Sequence, residues 1–273
     1  MTTAHRRQPQ RTIALYGGVA LIAIFLIAPL LVVVPMSFSD STLLQFPPPR
    51  LSLRWYRAYF GNHAWISATW ISLKAGMLVA FLSTSLGVAA AIGLVRARFP
   101  GRVAVRSLVL SPLVVPVIIL AVGLYYLYAR LHLNDTLTGL VLGHVVLTLP
   151  YVVVVVSASL EDFDSTLEQA ALGLGATPFR VFRRVTLPLI APGVAVAFLF
   201  SFLTSFDEVV LALFITGPET TTLPRKMWEG IRFELNPTIA AVSTLLIGVS
   251  WSVMLLVGLL RATGRAGSGE GQQ

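Results

Sequence analysis

Two stretches of this chain carry residue types out of keeping with their surroundings, and each suggests a chemistry. In the apolar run 191–215, Asp207 and Glu208 stand side by side directly after Phe206. An ionised carboxylate at the centre of a membrane span costs roughly 2.5–3.5 kcal/mol on insertion scales, so an adjacent pair needs a reason. One reason is a cation site or gate lining a pathway. Carboxylates beside aromatic rings attract ammonium groups through charge and cation–π contact, and Phe198, Phe200 and Phe202 crowd the same run. The other is a place at the outer interface, solvated or paired with Lys74, whose stem can snorkel to water. About 15 helical residues from the start of the run carry the pair roughly 22 Å across, into the outer half. Adjacent positions point about 100° apart, so one of the two faces a lumen directly. Tyr125, Tyr126 and Tyr128 end an earlier apolar run, where an interfacial belt is the plainer account.

The second stretch is the polar island 161–190, EDFDSTLEQAALGLGATPFRVFRRVTLPLI, the most charge-dense part of the chain. Ser165 and Glu168 fit a capping box, which predicts a helix starting at Ser165. Gly173 and Gly175 weaken that helix and permit a sharp turn. Thr177 then supplies a second N-cap with Pro178 at the first helical position. The second helix, FRVFRRV, is expected to stop before Pro188, because the residue ahead of a proline disfavours helix. On it Phe179, Phe182 and Val185 share one face, with Arg180, Arg183 and Arg184 around them. An apolar stripe ringed by cations suits a groove on a partner protein. It equally suits the inner leaflet, with arginines on lipid phosphates.

The elements that must position these residues are membrane spans. Of 273 residues 56% are hydrophobic and only 12% charged, about half the charged share of a soluble domain. Apolar segments at about 13–36, 68–95, 104–128, 137–160, 191–215 and 237–260 are each long enough for a hydrocarbon core of about 30 Å. The first follows Arg6, Arg7 and Arg11 like a signal peptide, but its length and the lack of a small-residue cleavage site favour a retained span. The expectation is one all-α domain over 1–273 with six transmembrane helices. Pro47, Pro48 and Pro49 prevent helix between the first two spans, and 53–60 reads as a short interfacial helix with Leu53, Tyr56, Tyr59 and Phe60 near helical spacing. Pro112, Pro116 and Pro150 are expected to kink their spans. The termini, 96–106 and 161–190 hold 12 Lys/Arg against 7 in the alternate connections, which places both termini and the island in the cytoplasm. The tail after the last span reads as disordered.

Several classes are excluded. The net charge of +8 comes without a basic stripe interleaved with aromatics, so nucleic acid is not a partner; orientation and anionic lipid account for it. There are no cysteines, which removes thiol catalysis and thiolate metal sites. The four histidines lack ligand spacing, so no metal or other cofactor is expected, and His144 reads as a helix-to-helix hydrogen-bond partner. Neither a GXXXXGK[ST] loop nor a nucleophile elbow is present, so the chain should not hydrolyse ATP itself.

The run Gln169-Ala170-Ala171, Gly175, Val185-Thr186-Leu187-Pro188 resembles the cytoplasmic loop of binding-protein-dependent ABC importer permeases, Glu-Ala-Ala, three residues, Gly, nine residues, Ile, one residue, Leu-Pro. The spacing agrees throughout; Gln169 replaces the motif glutamate, with Glu168 just before it, and Val185 replaces isoleucine. The string SFDEVVLALFITGPETTTLPRKMWEGIRFELNPTIAAVSTLLI is similar to the matching region of spermidine/putrescine-type permeases. The resemblance implies a type I ABC importer permease-like fold, with a coupling helix between spans four and five and the bacterial inner membrane as its location. Glu168, Gln169, Ala170, Ala171, Gly175, Phe179, Arg180, Phe182 and Arg183 would dock a cytoplasmic ABC ATPase dimer. A second identical or homologous permease and a periplasmic or lipid-anchored binding protein would complete the assembly. Asp207, Glu208 and Phe206 would line the pathway of a polyamine, or of an opine, amino-acid derivative, thiamine or iron in related branches. A motor-independent cation channel or ion-coupled transporter would explain the acids but leave the island's spacing accidental. An integral membrane enzyme would need clustered catalytic groups, and none are visible.

Overall fold

The structure, a computed structural model, describes residues 8–234 and 237–266, with side chains over 15–233 and 237–252. Among these residues the regular structure is helical, with one isolated bridge between Ser39 and Leu51. The chain forms two compact units, one drawn from its two ends and one running from Ala64 to Trp228.

In the unit of the chain ends, α1 (Gln8–Ser37) and α2 (Arg54–Gly61) both pack with α12 (Thr238–Ala266). The short helix expected at 53–60 is present, but its inward face is different. Trp55 and Tyr59 are buried while Leu53 and Phe60 are exposed. The indole decides this: Trp55 Nε1 donates to the Ser41 carbonyl at 3.2 Å, and Tyr56 shares a 2.8 Å bond with Ser37. The tail beyond Ala266 lies outside the described residues.

The central unit is built around α6 (Leu137–Asp162), an apolar helix without a polar stripe, as expected of a helix surrounded by others. Its N-terminal part joins α3 (His63–Arg96), α5 (Val117–Leu131) and α10 (Val210–Ile215) through Val79, Ala121, Leu140, Val145 and Leu211. Its other part meets α3 and α9 (Leu187–Asp207) through Ala91, Val152, Val156, Leu160 and Ile190. Lipid is as apolar as these side chains, so association relies on close approach and interhelical hydrogen bonds. Gly87 supplies the approach on α3: a Cβ there would collide with Val152 of α6. The bonds are Ser83 with Thr148 at 2.6 Å and His144 Nδ1 with Ser205 Oγ at 2.8 Å. His144 thus bridges α6 and α9, as expected.

Among the described residues, four helical stretches are long and apolar enough to cross a membrane alone: Leu15–Ser37, His63–Arg96, Leu137–Asp162 and Pro178–Asp207. The expected third span is instead a broken pair, Arg102–Leu113 and Val117–Leu131, bent by 100°. Its first half is α4 (Arg102–Leu110) continued by a 3-10 turn, Ser111–Leu113. Pro112 sits in that turn and Pro116 caps α5 with ψ 130°, outside the helical region. Pro150, by contrast, leaves α6 continuous. The fifth expected span, 191–215, differs at both ends. Its helix is already running at Pro178 and ends at Asp207, and α10 begins only at Val210.

The Gly87–Val152 contact is testable. Gly87→Ala should lower the stability of the detergent-purified protein by about 1–3 kcal/mol. Adding Val152→Ala should recover part of that loss in a thermal melt; additive losses would mean that the two residues do not share this contact.

Candidate functional site

The island folds as an elbow. In α7 (Thr166–Gly173) the expected capping box does not form, because the Ser165 side chain makes no cap bond. Asp164 takes that role, accepting from the Thr166 N–H at 2.9 Å. The bonds from the Thr166 side chain and backbone hold its carboxyl below the usual aspartate range. Gly175, at φ +85°, ends the helix. Its N–H donates to Leu172 O at 2.9 Å and that of Ala176 to Ala171 O at 3.1 Å, a Schellman pattern. Thr177 then caps α8 (Pro178–Val181), accepting from Arg180 N–H at 3.4 Å.

Pro188 does not stop this helix. Between α8 and α9 lies a π-turn, Phe182–Thr186, in which the Leu187 N–H reaches back to Phe182 O. Proline lacks an N–H and its ring crowds the carbonyl four residues earlier. The wider π-turn absorbs both defects, so the elbow passes into the membrane helix without a break. This through-running geometry also divides the expected stripe. Phe182 packs against the core beside Leu160 and Ile190, and Val181 is buried. Leu167, Leu172, Leu174 and Phe179 are exposed, as are Arg180, Arg183 and Arg184. The outward apolar set is therefore Leu167, Leu172, Leu174 and Phe179, and not Phe179, Phe182 and Val185. Gln169 and Ala170 are exposed and Ala171 half-buried.

Glu168 is turned inward. Its Oε2 lies 3.0 Å from Arg96 Nε, and its Oε1 accepts from the Thr186 hydroxyl at 2.6 Å. Arg96, the last residue of α3, also donates through Nη2 to Leu160 O at 3.0 Å and lies 4.8 Å from the Phe163 ring centre. The Nε–H makes no directed hydrogen bond, so its link to Glu168 is an ion pair. Nothing in the sequence singled out Arg96 beyond its positive charge.

The two membrane acids separate in role. Glu208 is extended, at ψ 118°, in the gap between α9 and α10. Its carboxylate accepts from the N–H groups of Val210 at 3.2 Å, Leu211 at 2.7 Å and Ala212 at 3.3 Å. It caps α10. Asp207 is exposed, and among the described residues neither acid pairs with Lys74, which is itself exposed. Phe206 is half-buried and stacks on Phe202 at 5.8 Å. Of the three tyrosines, Tyr128 is buried in the core while Tyr125 and Tyr126 stay exposed.

A further acid, Asp135, organises the Thr-Gly-Pro turn. It has φ +56° and accepts from Gly217 N–H at 2.8 Å, Glu219 N–H at 3.3 Å, and Thr220 N–H and hydroxyl at 3.0 and 2.8 Å. Arg225 fastens the same turn through Thr216, reaching its hydroxyl at 2.6 Å, and Leu223 N–H donates to Ser72 at 2.8 Å. The one available signal was the turn-forming Asn134-Asp135 ahead of Thr136, which caps α6.

The profile of the family described as "Binding-protein-dependent transport system inner membrane component" matches residues 83–263. The putrescine transport system permease protein PotI of Escherichia coli K12 is 35% identical over 262 residues, covering 91% of this chain and 92% of that one. The spermidine/putrescine transport system permease protein PotC of the same strain is 30% identical over 234 residues, covering 86% and 88%. A crystal structure of a bacterial ABC transporter that imports the acidic polysaccharide alginate has a chain with TM-score 0.74 at 14% identity, covering 96% of this chain and 99% of that one. At that identity it speaks for the fold alone.

The Asp135 turn carries a pH signature. Burial pushes the Asp135 carboxyl up, but the hydrogen bonds from Thr220, Glu219 and Gly217 outweigh it and set its pKa below the ordinary aspartate value. A lowered folded pKa contributes stability that is present above the unfolded value, about 3.9, and lost as pH falls through the folded one. The protection of the Gly217 and Thr220 amides, taken relative to their intrinsic exchange rates, should therefore fall on acidification below about pH 4. In Asp135→Ala that protection should be low at every pH; strong protection in that variant would show that the turn is held otherwise.

Proposed function

We propose, from the premise that this chain belongs to the binding-protein-dependent transport system inner membrane components, that it is the permease subunit of an ATP-driven importer of polyamines. The observation that carries the reading is the elbow 166–186. It exposes Leu167, Leu172, Leu174 and Phe179 together with Arg180, Arg183 and Arg184, and it continues without a break into a membrane helix. Such a surface fits a groove on an ATPase, whose movement would then reach the spans directly. Six spans with both termini and the elbow on the cytoplasmic side agree with the distribution of lysine and arginine. ATPases of this class act as pairs, so a second permease supplies the second dock, and an external binding protein delivers the solute.

The polyamine assignment rests on the two Escherichia coli permeases and on the chemistry of the acids. Asp207 is the pathway acid, since the Glu208 carboxylate is occupied by the backbone of α10. With Phe206 beside it, Asp207 offers charge and a ring face to a passing ammonium group. The break between α9 and α10 gives the solute a place where a helix end, rather than a helix side, meets the pathway.

Uptake of labelled putrescine and spermidine by cells carrying the complete transporter tests this. Asp207→Asn should lose roughly tenfold or more of the uptake, equivalent to about 1.4 kcal/mol, while its ATPase still co-purifies. Gly175→Pro should insert into the membrane yet fail to retain the ATPase, since proline cannot adopt a positive φ. Normal uptake by Gly175→Pro would remove the docking reading. A wild type that retains its ATPase but ignores both polyamines would remove the substrate assignment alone.

A further inference from the structure

We propose that the Arg96–Glu168 pair is the joint through which motion of the docking elbow reaches α3, and that Glu168 serves this internal joint while Gln169 is left to face the ATPase. The proposal rests on the docking reading above. The elbow is covalently continuous with α6 on one side and α9 on the other, so both helices follow it in any case. The third helix of the central unit, α3, has no such continuity and must be linked through side chains.

Arg96 provides that link from the last residue of α3. Its guanidinium is held at three places: the Glu168 carboxylate, the Leu160 carbonyl and the Phe163 ring. A planar group fixed in this way cannot swing to follow one partner while leaving another. The opposite charge is fixed equally well. One Glu168 oxygen takes Arg96, and the other takes the hydroxyl of Thr186, which is buried and closes the π-turn. One carboxylate therefore ties α3, α7 and the root of α9 together. Side-chain exposures of 28% for Arg96 and 17% for Glu168 keep the pair largely out of bulk solvent, where screening would weaken it. The arrangement also gives a reason for the departure at Gln169. An acid one position later would be exposed, as Gln169 is, and could not reach Arg96 and Thr186 from there.

The test is a double-mutant cycle in the complete, reconstituted transporter. Arg96→Ala, Glu168→Ala and the double variant are compared by ATPase retention, ATP hydrolysis and solute taken up per ATP. The expected result is a bound, hydrolysing ATPase with uptake per ATP lowered about fivefold or more, and a double variant no worse than either single one. Glu168→Gln, which keeps an acceptor for Thr186 but removes the charge, guards against misfolding and should be uncoupled in the same way. Arg96→Lys should recover only part, because an ammonium cannot hold all three positions. Undiminished uptake per ATP in either single variant, or additive losses, would overturn the joint. Loss of the ATPase from Glu168→Gln but not from Arg96→Ala would overturn it by making Glu168 a direct ATPase contact. Failure of the wild type to retain an ATPase would overturn the docking reading first, and the joint with it.

Discussion

Backbone polar groups cannot go unpaired in lipid, and that constraint governs where this chain may bend. Several interruptions of helix in the central unit are met by a side chain that takes over the lost partner. Between α9 and α10 it is Glu208, which accepts three N–H groups that no preceding turn could satisfy. At the Thr-Gly-Pro turn it is Asp135, with Arg225 on the carbonyl side. At the end of α6 Arg96 takes the Leu160 carbonyl, and Asp164 and Thr177 cap the two arms of the elbow. Charge in this protein is therefore concentrated at helix ends, and two of the residues most suggestive of transport chemistry, Glu208 and Glu168, are engaged in holding backbone or helices in place.

That division clarifies how a membrane bundle can be both firm and movable. The contacts among α3, α6 and α9 rely on small residues and a few interhelical hydrogen bonds, which tolerate little change in spacing. The breaks at 114–116 and 208–209 are different. There helices meet end to end without a continuous backbone ladder, although α5 and α10 beyond the breaks stay packed in the core through Ala121, Tyr128, Leu211 and Ile215. The π-turn at Phe182–Thr186 is a third such place, with its hydrogen bonds already displaced from the α register. An elbow fixed to the helix it continues into, and tied to a neighbour that it does not, is suited to moving helices as a set.

The broad architecture was legible because hydrophobic length is a one-dimensional property. Runs such as 68–95 and 137–160 exceed what any soluble core helix needs, and helices occupy them. Local punctuation was legible for the same reason: Thr177-Pro178 and Gly175 act through their own backbones, and both do what their types dictate. The inference failed where a residue had two partners to choose between. Glu168 could cap its own helix or reach Arg96, and the tertiary partner, largely shielded from solvent, won. Pro188 could end a helix or be absorbed by a π-turn, and burial of Val181 and Phe182 before the junction and of Ile190 after it favoured continuity.

What the amino-acid order determined by itself is a helical membrane protein with a punctuated polar elbow, because span length, glycine and proline act locally. What only the tertiary structure decided is which side of each element does what: that Phe182 faces inward and Phe179 outward, that Glu208 is spoken for and Asp207 free of such bonds, and that Arg96 gathers α3, α6 and α7. The Glu208 bonds are local and become available because α9 ends there; the other outcomes depend on pairs distant in sequence, whose energies arise only once helices are close enough to exclude solvent between them.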